Sequence, residues 1–304
     1  VEISADKINI SILLLTYNSN EFLPSCLNSI LAQTRAPKEI IVIDNNSVLK
    51  PIDILRDYKD NFQTKGVDFF TKLNKTNLGF AKGVNRGILM TNCHWVLLLN
   101  PDLVLNENAL EKFHKFLISL GKKNNETIAI GGRSIEWIGN KTLLTVAKKP
   151  NFFTFLFEFT SLKKILPSAH LSNNFWGKRI FSTTEKNLNT SMVSGNFVIL
   201  NKDLFQKLDG FDENFFLYLE DFDLGLRAKN AGYRIFYFPA ALARHFGGGS
   251  SKFQKGRINQ AAWNISKRYF CKKWFGFWGI ILSLIFNLDD LLLRLKKWKA
   301  RASK

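Results

Sequence analysis

Five carboxylic acids and one histidine stand where side chains of their kind can do chemistry. Asp44 directly follows Glu39-Ile-Ile-Val-Ile43, and Asp102 follows Trp95-Val-Leu-Leu-Leu99 and an Asn100-Pro101 turn. Glu220-Asp221-Phe222-Asp223 crowds three acids into four positions. A carboxylate on a rigid turn after a strand is a good ligand for a hard cation that bridges it to a diphosphate. The same residue is also an ordinary turn or cap. The acid triplet follows the apolar run Phe215-Phe-Leu-Tyr-Leu219 and opens an expected helix, whose dipole favours negative charge there. Three acids exceed what a cap needs, and crowded carboxylates raise one another's pKa, which suits one of them to general-base work. His245 precedes Gly247-Gly-Gly-Ser250, a run suited to a loop that closes over a ligand. A neutral imidazole at that position can complete an oxygen-rich metal site with Asp102. His94, His114 and His170 lack such a setting.

The elements that must present these groups are legible in the hydrophobic pattern. Residues 8–15, 39–43, 67–73 and 95–99 read as strands, and the apolar runs within 39–43 and 95–99 are those expected in a parallel sheet covered on both faces. Between the first two, Phe22, Leu23, Cys26, Leu27, Ile30 and Leu31 keep helical spacing, with Ser19 or Asn20 as the expected cap and Pro24 in the first turn. A helix over 77–87 carries glycines at 79, 83 and 87. They fit close packing on a sheet, and Gly79 would also let backbone N–H groups approach a phosphate at the helix start. Another amphipathic helix runs near 107–120. This alternation predicts a doubly wound α/β fold, whose ligands bind beyond the carboxyl ends of the strands. The rhythm fails over 137–189, where Phe152-Phe-Thr-Phe-Leu-Phe-Glu-Phe159 fits core, lid or membrane-facing surface alike. It returns with a strand over 192–200 interrupted by Gly195, a short helix over 202–208 and a helix over 220–230 closed by Gly232. A strand over 233–238 is expected to stop at Pro239.

Bulk composition sets the frame. A chain of 304 residues with 46% hydrophobic and 22% charged residues buries a large core and is not disordered. Three widely spaced cysteines, Cys26, Cys93 and Cys271, argue against a disulfide framework and for a reducing compartment, and no Cys/His cluster has zinc-site spacing. The net charge of +18 is concentrated at the end of the chain: from Leu224 onward, 17 Lys/Arg stand against two acids, Asp289 and Asp290. Such a segment seeks a polyanion, whether anionic lipid, a pyrophosphate-bearing substrate or nucleic acid.

Taken in order, Leu15-Thr-Tyr-Asn18, Ile43-Asp-Asn45, Asn77-Leu-Gly-Phe80, Leu98-Leu-Asn-Pro-Asp102, Gly210-Phe-Asp-Glu213, Phe216-Leu-Tyr-Leu-Glu-Asp-Phe-Asp223 and His245 with its glycines resemble the inverting family 2 glycosyltransferases of GT-A fold, bacterial rhamnosyltransferase-like members in particular. The resemblance spans roughly residues 8–250. It implies a mixed, mainly parallel sheet with a Rossmann-like nucleotide-sugar-binding half (1–132) and an acceptor-binding half (133–250), ahead of a basic helical extension (251–304). Thr16, Tyr17 and Asp44 would hold the nucleotide's base and ribose, with Asn18, Asn77, Gly79, Asn100 and Asp102 in the same nucleotide-sugar site. Asp102 would be the surviving acid of a DxD metal motif whose first position is Asn100, and would bind Mg2+ or Mn2+ with His245. Asp221 would be the general base, Glu220 would hydrogen-bond acceptor or donor sugar, and Gly195, Glu220 and Asp223 would meet the acceptor. The implied reaction moves a sugar, rhamnose among the candidates, from a nucleoside diphosphate to a lipid-linked or glycan acceptor for cell-surface polysaccharide.

Residues 274–288 form an uncharged, mostly apolar run, short for a spanning helix, with Lys272 and Lys273 before it and Arg294 to Lys304 after it. Two expectations compete: a helix lying in the cytoplasmic leaflet, drawn by anionic lipid and apolar burial together, or a helix buried against the catalytic domain. The first makes the protein cytoplasmic and peripheral on the inner face of the cell membrane, which agrees with the lack of a recognisable leader before the strand at Ile8. Other classes fare worse. A nucleotide-sugar-binding protein without turnover is favoured only by Asn100. A nucleic-acid binder has charge but no motif, so no nucleic-acid partner is expected. A nicotinamide dehydrogenase lacks Gly-x-Gly-x-x-Gly after the first strand.

Overall fold

The computed structural model describes residues 7–162, 175–176, 181, 183–246 and 257–302. Strands β1 (Ile8–Thr16), β2 (Pro37–Asp44), β3 (Asp68–Leu73) and β4 (Trp95–Leu99) alternate with helices α1 (Leu23–Leu31), α2 (Ile52–Thr64) and α3 (Phe80–Ile88). β1, β2 and β4 are buried almost end to end, as their apolar composition requires. Then come β5 (Leu103–Leu105), α4 (Ala109–Leu120), β6 (Thr127–Glu136), β7 (Val146–Ala147), α5 (Phe152–Glu158), β8 (Leu188–Asn189), β9 (Met192–Val193), β10 (Phe197–Asn201), α6 (Lys202–Lys207), α7 (Glu220–Asn230) and β11 (Arg234–His245). The main sheet runs β3-β2-β1-β4-β10-β6-β11-β5, with β8 pairing β11. β10 is antiparallel to β4 and β6, β5 and β8 are antiparallel to β11, and the remaining pairs are parallel. This is the mixed, mainly parallel sheet expected from the sequence, and apolar clusters cover both of its faces.

Several expected boundaries shift for physical reasons. α1 begins at Leu23 with no side-chain cap; the Ser19 carbonyl, not its hydroxyl, accepts from the N–H groups of Phe22 and Leu23. The strand expected over 192–200 is two strands in different sheets, because β9 pairs with β7 while β10 joins the main sheet. Pro239 does not stop the last strand. The ladder between β11 and β6 skips from Phe238↔Gly132 to Leu242↔Arg133, so Pro239 sits in a bulge that needs no N–H, and pairing resumes as far as His245↔Glu136.

The final helical stretch, Arg257–Ala302, is broken at Gly276 (φ 53°, ψ −125°) into two arms, α8 (257–275) and α9 (277–302). The arms fold back on each other. Lys267 Nζ lies 4.0 Å from the Phe286 ring centroid and Arg268 reaches Asp290 at 3.5 Å, although some twenty residues separate each pair. A Cβ on Gly279 would stand 1.9 Å from the Cys271 carbonyl oxygen, so the reversal depends on a bare backbone there. The apolar run read over 274–288 therefore crosses a turn instead of forming one helix. By length and composition residues 260–291 could cross a membrane, but the break leaves neither arm the ~20 apolar residues a span requires.

The hairpin shares a third core with residues drawn from the 147–226 stretch. Phe270, Cys271, Leu282 and Phe286 pack with Phe155, Phe175, Phe215, Leu219 and Phe222, and Phe155 stacks on Phe270 at 5.0 Å with an 8° interplanar angle. This resolves the phenylalanine-rich stretch: Phe155 and Phe157 are core, whereas Phe153 is 73% exposed. The inner face of α9 is buried, and Phe277, Trp278, Ile280, Leu284, Leu288, Leu291 and Leu295 form an exposed apolar stripe along it. The expected boundary at 250/251 lies outside the described residues, as do the glycines 247–249.

Candidate active site

The candidate residues gather at the carboxyl edge of the parallel strands. Thr16 and Asp44 end β1 and β2 as direct register partners. Asp44 is fully buried; its carboxylate accepts from the Ser47 N–H at 3.1 Å and pairs with Lys50 at 3.3 Å. The Thr16 hydroxyl is buried without a partner. Asn18, left-handed at φ 53°, donates its N–H to the Ser47 hydroxyl oxygen (2.7 Å) and accepts from the Val48 N–H with its side chain (2.8 Å), which ties the two loops together. Tyr17 is half-buried beside them, its carbonyl accepting from the Ser19 hydroxyl.

Asn45 is the hub of this edge. Its side chain donates to Asn77 Oδ1 (2.8 Å) and to the Gly79 carbonyl (3.1 Å), and accepts from Asn74 and from the Leu78 N–H. The start of α3 is correspondingly closed. The N–H groups of Leu78, Gly79 and Phe80 go to Asn45, Asn77 and the Phe216 carbonyl, and a Cβ on Gly79 (φ 80°) would lie 2.5 Å from that same carbonyl oxygen. The expected phosphate cradle at Gly79 is therefore corrected: the bare backbone admits Phe216, and with it the segment leading to the acid triplet. Asn45 stood in the motif Ile43-Asp-Asn45, but its role depends on partners some thirty residues away.

Asp102 and His245 meet because β5 pairs with the end of β11, Leu103 opposite His245. His245 Nε2 lies 3.2 Å from Asp102 Oδ2, while Asp102 Oδ1 is buried without a hydrogen-bond partner. An orphaned carboxylate oxygen beside an imidazole nitrogen fits one side of a hard divalent cation, whose other positions a diphosphate would have to fill. Among the described residues, no group of three His, Cys, Asp or Glu side chains forms a metal site by itself. Asn100 is held by its backbone, its N–H donating to the Asn196 carbonyl at 2.9 Å.

The acid triplet divides by direction. Tyr218 (φ 73°) and Leu219 (φ 69°) are consecutive left-handed residues just before α7, an arrangement costing about 1–2 kcal/mol each that sharply redirects the chain. Asp221 turns toward Gly195, whose N–H reaches its Oδ2 at 3.4 Å, and its Oδ1 accepts from the Phe222 N–H at 2.8 Å. Desolvation pushes its pKa up to about 6 against these donors. Glu220 is buried with one oxygen unpartnered, and its pKa is raised by burial first and by Asp221 second. Asp223 turns the other way. It is fully buried and held by Arg227 (2.7 Å), Lys273 (2.6 Å) and the Trp274 indole N–H (2.9 Å), so its carboxylate is enclosed by α7 and α8 and has no open face for an acceptor. The acceptor contact expected of Asp223 is corrected to an anchor for the hairpin. Lys273 also binds Asp212 at 2.7 Å. Lys273 and Trp274 gave no local signal, since in sequence they read as the rim of an apolar run.

A chain of contacts thus links Asp221 through Gly195–Asn196 and Asn100 to Asp102 and His245. A second chain links Asp44 through Asn45 and Gly79 to Phe216. One edge carries a raised carboxylate and a two-residue cation platform, with buried unpartnered polar atoms on Thr16, Asp102, Asn196 and Glu220. Such an edge can accept a proton and bind an anion through a metal.

The profile described as Glycosyl transferase family 2 matches residues 11–208, and that described as Glycosyl transferase family group 2 matches residues 168–299. Poly(ribitol-phosphate) beta-N-acetylglucosaminyltransferase TarP of Staphylococcus aureus is 25% identical over 224 residues, covering 70% of this chain and 64% of its own length. The O-antigen chain rhamnosyltransferase RfbN of Salmonella typhimurium is 25% identical over 240 residues, covering 78% of this chain and 66% of its own. This chain therefore spans just under two thirds of either relative. Among solved structures, Staphylococcus aureus TarS 1-349 superposes with a TM-score of 0.53 at 17% identity, over 79% of this chain and 61% of that one. The mannosyltransferase PcManGT from Pyrobaculum calidifontis, in complex with GDP-Man and Mn2+, does so at 0.55 and 14% identity, over 86% and 62%. At these identities the likeness is one of fold.

Proposed function

This chain belongs to glycosyl transferase family 2, and on that premise we propose that it transfers a sugar, with inversion, from a nucleoside diphosphate to a hydroxyl of a lipid-linked or glycan acceptor. The observation carrying this reading is Asp221: a carboxylate raised to about 6, partly open to solvent, and one backbone residue away from the segment that contacts the turn before Asp102.

In the proposed reaction Asp221 takes the proton of the acceptor hydroxyl. That oxygen forms the new bond at the anomeric carbon while the bond to the diphosphate breaks on the opposite face, its electron pair leaving with the diphosphate. Glu220 stands beside Asp221 to hold a sugar hydroxyl. Asp44, Thr16, Tyr17 and Asn18 are assigned to the nucleoside. Asp102 and His245 would hold Mg2+ or Mn2+, which supplies charge neutralisation for the departing diphosphate. The exposed stripe on α9, followed by the basic residues 294–304, supports a peripheral seat on an anionic cytoplasmic leaflet, where a lipid-linked acceptor would be presented.

The test is a panel of nucleoside-diphosphate sugars incubated with the protein and Mn2+, reading release of the nucleoside diphosphate with and without added acceptor. Turnover of at least one donor, lost in Asp221→Asn, is expected. No turnover of any donor, or turnover undiminished in Asp221→Asn, would overturn the reading.

A further inference from the structure

A cleft of about 630 Å3 opens beside His245. Its walls come from the end of β6, the 143–145 segment, the Ser194–Asn196 segment and the end of β11. The sheet order places these elements across β4 from β1 and β2, away from Thr16 and Asp44. Resting on the glycosyltransferase reading, we propose that this cleft is a subsite for a pyranose ring of the acceptor glycan, with Trp137 as its stacking platform and Asn196 as its hydroxyl reader.

Three features fit that ligand. First, Trp137 is 41% exposed yet rigidly mounted: its ring stacks on Phe246 at 3.9 Å and 22°, and its backbone N–H donates to the His245 carbonyl at 3.0 Å. Phe246 is fixed in turn by an N–H bond to the Asp102 carbonyl at 3.0 Å. A flat apolar face held in place at the mouth of a cleft suits the C–H face of a sugar ring. Second, Asn196 Oδ1 is buried without a partner, an unfavourable condition that a hydroxyl donor relieves. A lipid tail would leave that oxygen orphaned, and Ser194 and Thr145 give the same wall a polar lining. Third, Ser194 and Asn196 flank Gly195, whose N–H points at Asp221 Oδ2. A ring in the cleft thus borders the proposed base, as an acceptor must, while Thr16 and Asp44 end β1 and β2 on the other side of β4.

The test compares the wild-type chain with Trp137→Ala, Trp137→Phe and Asn196→Ala. Each is applied to an immobilised panel of oligosaccharides of hexoses, 6-deoxyhexoses and N-acetylhexosamines, and titrated calorimetrically with UDP, GDP and dTDP in Mn2+. At least one glycan should be bound by the wild type, tenfold or more weakly by Trp137→Ala and Asn196→Ala, and close to normally by Trp137→Phe, with nucleotide affinity equal in all four. Asn196→Ala breaks no internal bond of that side-chain oxygen, so it remains informative should Trp137→Ala fail to fold. Undiminished glycan binding by both alanine variants, or a wild type that binds nucleotide but no glycan, overturns the subsite. Failure to bind any nucleotide instead counts against the glycosyltransferase reading and leaves the glycan result to judge the cleft by itself.

Discussion

At the scale of single residues, the acids on this edge differ in what surrounds them. Asp221 meets a single long N–H bond from Gly195 and its own helix start, so desolvation dominates and its pKa rises to about 6. A base must be deprotonated to work, so its contribution is lost as pH falls through about 6. The acidic limb of kcat/KM should have its midpoint there, and removal of that limb in Asp221→Asn, with rate reduced ~100-fold or more and nucleoside-diphosphate affinity retained, is the expected signature. A limb unchanged in the variant would assign the titration to another group. Asp102→Ala should weaken the metal-dependent part of nucleoside-diphosphate binding, measured by titration with and without Mn2+, because it removes the one orphaned carboxylate oxygen beside His245. Identical Mn2+ dependence in variant and wild type would remove Asp102 as a ligand.

At the scale of elements, α7 is held between two neighbours. Gly79 admits the Phe216 carbonyl on one side, and Lys273 with Trp274 clamps Asp223 on the other. Gly79→Ala would impose a 2.5 Å contact with backbone at a left-handed position, and should cost about 1–3 kcal/mol in chemical denaturation. Lys273→Met should cost a similar ~1–3 kcal/mol, below the ~3–5 kcal/mol of an uncompensated buried charge, because Arg227 remains on Asp223. The same lysine helps hold down Asp212. Burial pushes that carboxyl up, but Lys273, Asn214 and Tyr269 outweigh it and bring the pKa to about 2. A depressed folded-state pKa means the contact stabilises above the ordinary carboxylate range and fades as pH drops toward 2. Acid unfolding monitored by tryptophan fluorescence should therefore begin at higher pH in Asp212→Asn than in the wild type.

At the scale of the whole molecule, the hairpin is both core and surface. Truncation after Cys271 would strip Leu282 and Phe286 from the cluster that also contains Phe215 and Phe222, so it tests folding before it tests location. Exposed positions make the cleaner probe. Leu284 and Leu288 are 62% and 57% exposed, so replacing both with Ser should leave thermal stability nearly unchanged while weakening sedimentation with phosphatidylglycerol vesicles. Binding should also fall with added salt and be weak on phosphatidylcholine. Equal sedimentation of variant and wild type would sever the α9 stripe from the membrane.

The local sequence determined the alternation of buried strands and helices, the edge on which Asp44 and Asp102 stand, and the acid triplet at a helix start. Those features follow from periodicity and from chain direction, which neighbouring residues encode. Only the tertiary structure decided that Asp221 faces Gly195 while Asp223, two positions on, is used up by Lys273 and Trp274, because a helix turns residues two apart to different sides. It also decided that Gly79 receives a backbone carbonyl, that Pro239 sits in a bulge within a continuing strand, and that the apolar run near the end turns back at Gly276. Each of these depends on a partner tens of residues or more away, and the pattern of a segment records its own period without naming what it packs against.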